Sequence, residues 1–254
     1  MEERKPSRIR KSLLFLWLAF ATPMVVISFI VMQLMPTALR RRSAHVMARL
    51  WSVGMIYTTG TKCTVEGLEN ITHSGPFVVM SSHRSHMDVP IAIRYLPFLF
   101  GFIVKAELMR IPIFRGAMLT IGCVAVSRGK SRDDHSVLDS VAADVANGKN
   151  ILIFPEGTRS TSEDFLPFKK GGIVTAIKAG VPILPIAMSG TNHVIPAKIH
   201  TVSSGQVLLR IGESIPTEGL TLADRDDLLA QVQNAIAELY VPHYSTSPKR
   251  PEVS

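Results

Sequence analysis

His83 and Asp88 stand five residues apart in the segment Ser81-Ser82-His83-Arg84-Ser85-His86-Met87-Asp88. Imidazole is the side chain best suited to move a proton near neutral pH. A carboxylate on its far nitrogen fixes the tautomer and stabilises the imidazolium, as in hydrolase triads. A strand-to-helix turn between them lets the two groups meet. Asp88 also precedes Val89-Pro90, so capping a helix is the alternative role for this carboxylate. His83, His86 and Asp88 are also a candidate three-ligand set for a divalent metal. Nothing elsewhere reinforces that reading, because His193 and His200 are scattered in the chain. Taken alone the spacing leaves proton transfer and helix capping both open, and no metal is expected.

The second constellation is Phe154-Pro155-Glu156-Gly157-Thr158-Arg159-Ser160. Gly157 permits a tight turn, and Thr158 and Ser160 supply hydroxyls. Arg159 offers a planar fork suited to a phosphate monoester. The plainer alternative is a surface turn carrying an Arg–Glu pair. Lys105 and Arg128 each follow an apolar run. Three cations at strand ends in a nearly neutral domain imply one anionic pocket. Support for an enzyme nucleophile or a nucleotide site is poor. No Gly-x-Ser-x-Gly elbow exists, and Ser189 in Met-Ser-Gly lacks the leading glycine. Gly129-Lys130-Ser131 resembles the end of a phosphate-binding loop, but Val124 stands where that loop requires glycine.

These residues need a scaffold to hold them. Short apolar runs read as strands at 77–80, 102–104, 123–126, 151–154, 183–187 and 207–211. Helical patterns cover 133–147, 170–179 and 222–240. This alternation predicts an α/β fold, a mostly parallel sheet flanked by helices. Functional sites in such sheets form where strands end, and both constellations follow a strand. Two cysteines, Cys63 and Cys123, exclude a disulfide scaffold and a four-cysteine zinc site.

Residues 13–35 carry no charge over 23 positions, which as a helix spans roughly 35 Å. The first 49 residues hold nine Lys or Arg against Glu2 and Glu3, so +7 of the net +8 brackets this segment. A nucleic-acid binder spreads basic charge over its folded domain, so no nucleic acid is expected. The pattern points instead to an anionic membrane surface. The apolar run continues well past Ala19-Phe20-Ala21, which argues against a cleaved signal peptide. Basic residues at both ends favour a hairpin over a true span, with Pro36 and Arg40-Arg41-Arg42 turning the chain and residues 44–57 returning. A buried core helix is the remaining alternative. The expected organisation is an N-terminal membrane-anchoring helical hairpin over 1–60, a catalytic domain over 61–245 and a flexible tail over 246–254.

The motifs together resemble the PlsC-type glycerolipid acyltransferases, whose best-known members are 1-acylglycerol-3-phosphate acyltransferases. Four blocks carry the resemblance in order, over about residues 76–190. His83-x4-Asp88 resembles the first motif, and Lys105 to Phe114 with Arg128 the second. Phe154 to Ser160 has the usual form of the third, and Val181 to Ile186 resembles the fourth. Arg115 and Ser127 depart from the common pattern, which often has Gly and Asp there. The resemblance implies acyl transfer from acyl-CoA or acyl-carrier protein to the free hydroxyl of a lysophospholipid, 1-acylglycerol 3-phosphate. It implies His83 as base and Asp88 as its partner. Glu156, Gly157, Thr158, Arg159, Arg128 and Lys105 would bind the phosphate and glycerol, with Glu156 orienting the glycerol or bracing Arg159. It implies no cofactor. It also implies a membrane-associated enzyme whose catalytic domain faces the cytoplasm, at the inner membrane if the source is bacterial. Glycerol 3-phosphate, other lysophospholipids and lyso-ornithine lipid are alternative acceptors. A phospholipid hydrolase and a non-catalytic scaffold are the rival classes.

Overall fold

Strand β2 (Val78–Ser81) is buried at every position, as expected of a strand covered on both faces. Val79, with the preceding Phe77, enters one hydrophobic layer, while Val78 and Met80 enter the other. Strands β5 (Asn150–Ile153) and β6 (Ile183–Ser189) divide the same way. Leu152, Leu184 and Ile186 join the first layer; Ile151, Ile153 and Ile183 join the second. A side-chain period of two between two helical layers gives a three-layer α/β arrangement. The structure, a computed structural model, describes residues 7–72, 75–110, 112–126, 131–198 and 201–244.

Strands β1 (Lys62–Glu66), β3 (Phe100–Lys105), β4 (Val124–Val126) and β7 (Gln206–Ile211) complete a seven-stranded sheet of order β1-β7-β6-β2-β5-β3-β4. All neighbouring pairs are parallel except β6 with β7. This is the mostly parallel, helix-flanked sheet that the sequence predicts. All six predicted strands lie within two residues of observed ones. The additional strand is β1, an edge whose positions alternate between exposed and half-buried. Its Lys62-Cys-Thr-Val-Glu66 lacks the apolar run that marks the central strands. Asn150 fastens the centre: its Oδ1 accepts from the Phe77 N–H at 2.8 Å, and its Nδ2 donates to the Leu99 carbonyl at 3.1 Å.

Helices α5 (Ser131–Ala146), α6 (Gly171–Ala179) and α8 (Arg225–Leu239) cover the second face, through residues such as Val141, Ile173 and Val232. The first face is covered by α1 (Arg8–Met32), α2 (Thr37–Thr59) and α3 (Asp88–Tyr95), through Leu14, Met55 and Ile91. Helix α4 (Pro112–Ile121) meets α1, with Ile121 packed against a cluster of Phe29, Met32 and Ala44. The tail at 246–254 lies outside the described residues.

Helices α1 and α2 run antiparallel. Trp17 lies against Gly54 and Arg10 against Gly60, while the Trp51 Nε1 donates to Thr22 Oγ1 at 3.3 Å. Helix α1 is long and apolar enough to cross a membrane. Its inner side, however, shares the core of the sheet. Its outer side exposes Leu13, Leu16, Phe20, Met24, Ile27 and Val31 at helical spacing. Helix α2 continues the exposed apolar face with Leu39, Val46, Leu50, Val53 and Tyr57. The hairpin is thus packed on the catalytic layer along one side and bare along the other.

A side chain at Gly54 has no room: its Cβ would fall 2.0 Å from the Trp17 indole. Gly54→Val is therefore expected to push α1 from α2 and cost about 1–3 kcal/mol, the usual range for overpacking. Both tryptophans of the chain lie in this seam. The displacement reads as a red-shifted tryptophan emission together with a lowered Tm.

Candidate active site

Parallel strands β2 and β5 both end at one edge of the sheet, and the two constellations emerge there side by side. The turn after β2 folds back so that His83 Nδ1 meets Asp88 Oδ2 at 2.7 Å. The same oxygen accepts the backbone N–H groups of Arg84 at 2.8 Å and Ser85 at 2.9 Å. The other oxygen, Oδ1, accepts Thr191 Oγ1 at 2.6 Å, from α7 (Thr191–Val194) just after β6. Asp88 is 1% exposed. It is the first residue of α3 and makes no capping bond to the helix, so it staples the preceding turn instead.

With Nδ1–H donated to a carboxylate, the lone pair of neutral His83 sits on Nε2. Nε2 has no hydrogen-bond partner among the described residues, and the side chain is 13% exposed. The ring is also held from one face by Phe154, stacked at 3.9 Å between centroids. This is an oriented imidazole with one open nitrogen, the geometry that a general base requires.

The second loop is tied to the first at its backbone. Glu156 is 3% exposed; its Oε1 accepts the His83 N–H at 2.8 Å, and its Oε2 accepts the Leu166 N–H at 2.9 Å. Both oxygens serve backbone donors, so Glu156 braces His83 and the following loop rather than Arg159. The Ser160 N–H returns a bond to the His83 carbonyl at 2.8 Å. Gly157 has φ +70°, a left-handed turn conformation that glycine adopts without strain. Thr158 is exposed beyond that turn.

Arg159 is half-buried, and its Nε is sealed from solvent without a partner. Burial lowers its pKa, partly opposed by the nearby Asp88 charge. Burial, then the Arg159 charge, lowers the pKa of His86, partly opposed by its bond to the Ala197 carbonyl and the Asp88 charge. A desolvated guanidinium beside the base is poised for an anion. His86 turns Nε2 to the Ala197 carbonyl at 3.2 Å. Lys105 closes β3 at the same sheet edge, and the β3–β5 register brings its backbone level with the turn after β5. Arg128 lies outside the described residues.

Two site residues escape sequence reasoning. Thr191 carries no local signal; only the fold brings it to Asp88. Arg84 sits within the first motif, yet it is 1% exposed and serves the scaffold. Its guanidinium donates to the carbonyls of Ser162, Glu163 and Asp164, between the rings of Tyr240 and Phe165. His193 is not isolated, contrary to expectation. It stands with His243 about Glu163, at 3.9 and 4.0 Å. Residues so far apart in sequence give no spacing signal. Burial pushes the Glu163 pKa up, but bonds from Tyr240 and Asn192 and nearby positive charge outweigh it, and the net shift is downward. Its Oε1 and Oε2 accept Asn192 Nδ2 and Tyr240 Oη, while His193 Nε2 is buried without a hydrogen-bond partner. His200 lies outside the described residues. Burial raises the thiols of Cys63 and Cys123 to about 12, so neither is a thiolate nucleophile at neutral pH.

Known proteins resemble this chain in sequence and in fold. An acyltransferase family model matches residues 62–189. Human 1-acyl-sn-glycerol-3-phosphate acyltransferase alpha is 32% identical over 206 residues, covering 80% of this chain and 73% of its own. A chloroplastic 1-acyl-sn-glycerol-3-phosphate acyltransferase of Brassica napus is 34% identical over 202 residues, covering 78% of this chain and 56% of its own. The crystal structure of the 1-acyl-sn-glycerophosphate acyltransferase PlsC from Thermotoga maritima superposes with a TM-score of 0.76 at 27% identity, over 96% of this chain and 99% of that one. A match that runs from β1 through the His83–Asp88 pair and the Arg159 turn to the end of β6 makes this chain a member of the acyltransferase family.

Proposed function

We propose that the protein transfers a fatty acyl group from a thioester of coenzyme A or acyl-carrier protein to the free hydroxyl of 1-acylglycerol 3-phosphate, giving phosphatidic acid. The observation that carries this reading is the His83–Asp88 pair with its open Nε2 and, on the adjoining loop, a half-buried Arg159 whose Nε has no partner. The relatives named above act on the same acceptor class. Nε2 takes the proton of the acceptor hydroxyl while Nδ1–H stays on Asp88. The acceptor oxygen attacks the thioester carbonyl, a carbon–oxygen bond forms, and the carbon–sulfur bond breaks. The thiolate leaves and recovers the proton from Nε2. No enzyme nucleophile is required. The N–H groups of Thr158 and Arg159 have no hydrogen-bond partner among the described residues and are the donors available to the developing oxyanion. Arg159, with Lys105 and Arg128, holds the acceptor phosphate.

The bare apolar side of the hairpin gives this reaction its place. A lone spanning helix would need lipid all round, whereas α1 is covered by α2 and α4 along its inner side and reaches the core of the sheet through Leu14. The hairpin therefore lies along one leaflet, with residues 1–60 as anchor and 61–245 carrying the chemistry at the cytoplasmic face, where thioester donors are found.

His83→Ala is expected to lower kcat by about 10²–10⁴, the usual loss for a positioned base, with the protein still folded and membrane-bound. Retention of more than about a tenth of wild-type turnover sinks the assignment.

Arg159→Lys keeps the charge and loses the fork. It is expected to raise KM for the phosphorylated acceptor and leave the donor's KM nearly unchanged. An equal rise in both would move Arg159 to the donor site.

In sealed vesicles, protease and cysteine labelling should find an amino-terminal tag on the same side as the catalytic domain. A tag on the opposite side would mean a true span.

A further inference from the structure

A cavity of about 710 Å³ lies at the other end of the sheet, among the starts of β3 and β5, the end of α4 and the hairpin tip. Its lining carries Arg40, Arg42, His45 and Lys149, and no carboxylate among the described residues. Arg40 Nη1 donates to Gln33 Oε1 at 3.0 Å, while its Nε is buried without a partner. Arg42 is exposed and makes no ion pair among the described residues. Lys149 meets Asp144 at 2.7 Å, an exposed pair that a better-placed anion can displace. Helix α2 begins here with no acidic residue in its first turn, so its unpaired N–H groups add to the positive field. Cations gathered at the positive end of a helix repel one another until an anion joins them.

The rim says what kind of anion. Val46 and Leu119 line the cavity and are both more than half exposed, and Val46 belongs to the bare apolar side of the hairpin. An occupant must offer a charged head to the arginines and hydrocarbon to the rim. We propose that this cavity binds the headgroup phosphate of an anionic phospholipid, its chains running along Val46 and Leu119, and that this lipid fastens the hairpin tip to the catalytic layer. This site is separate from the acceptor pocket, because the starts of β3 and β5 lie at the opposite sheet edge from His83. It rests on the reading of the hairpin as seated in one leaflet.

Native mass spectrometry of the full chain in detergent, titrated with phosphatidylglycerol and with phosphatidylcholine, tests it. The wild type is expected to hold one phosphatidylglycerol at least tenfold more tightly than phosphatidylcholine. Three cations near a lipid surface contribute about a hundredfold, so Arg40→Gln/Arg42→Gln/Lys149→Gln is expected to lose that preference. If the triple variant melts early, Lys149→Glu alone should still weaken the adduct at least tenfold. Unchanged phosphatidylglycerol binding in a folded variant overturns the proposal. So does inorganic phosphate that binds as tightly as the lipid, which would mark a free-anion site. Flotation with neutral phosphatidylcholine vesicles separates this from the leaflet reading. Wild type and triple variant should both float; a wild type that stays behind overturns the leaflet reading and this site with it. If both float and the lipid preference is absent, the leaflet reading stands and the lipid site falls.

Discussion

A carboxylate taken out of water must have its lone pairs filled by donors, or the fold loses several kcal/mol. Asp88 meets that demand with four donors, and they come from three places: the His83 ring, the backbone of the turn at Arg84 and Ser85, and Thr191 after β6. Each fixes something. Two N–H groups on one oxygen force the turn after β2 to wrap around the carboxylate. That wrap leaves His83 a single orientation, with Nε2 outward. Thr191 requires α7 to start directly where β6 ends. Strand order does the rest, since β6 pairs with β2 in the sheet.

A second buried carboxylate extends the arrangement to the next loop. Glu156 holds the backbone of His83 on one oxygen and that of Leu166 on the other. Arg84 then gathers the carbonyls of residues 162–164, and Tyr240 at the end of α8 packs over its guanidinium. The catalytic edge is thus two loops tied to each other at main-chain atoms. The side chains proposed to meet substrate, Arg159 and His83, are left with open positions. The main-chain ties to Asp88 and Glu156 remain when Arg159 is altered, so loss of activity in such a variant reads as lost chemistry.

The central strands were legible because burial on both faces requires apolar residues at every position. Residues 77–80 and 151–154 carry that pattern, whereas β1, with Lys62 and Glu66, does not. Helix α4 escaped notice because it lies within the Lys105–Arg128 stretch that reads as a motif. His83, Asp88 and Arg159 were legible because proton transfer and phosphate binding restrict residue type within a short span. Thr191 and the Glu163–His193–His243 cluster were not, since their meeting depends on strand order and on the path of the chain after α8. Glu156 is legible as a residue, but its backbone partners are not. A glutamate before a glycine turn looks like a surface partner for arginine, and only burial reveals that its partners are backbone amides.

The proposed reaction explains why the two ends of the molecule differ in character. Direct transfer to a lipid hydroxyl needs the base, the thioester carbonyl and the acceptor together, with no covalent enzyme intermediate to store the acyl group. The acceptor must therefore arrive already oriented, its phosphate in the cationic end of the site and its chain still in lipid. A catalytic domain tumbling on a flexible tether would present that edge at every angle. A hairpin that shares Leu14 and Met55 with the core of the sheet cannot tumble, so the angle between membrane and catalytic edge is set by the same packing that holds β2 and β6 in place. On the proposed reading, orientation toward the bilayer is a property of the fold, and the basic charge bracketing the hairpin would need only to hold it at the right depth.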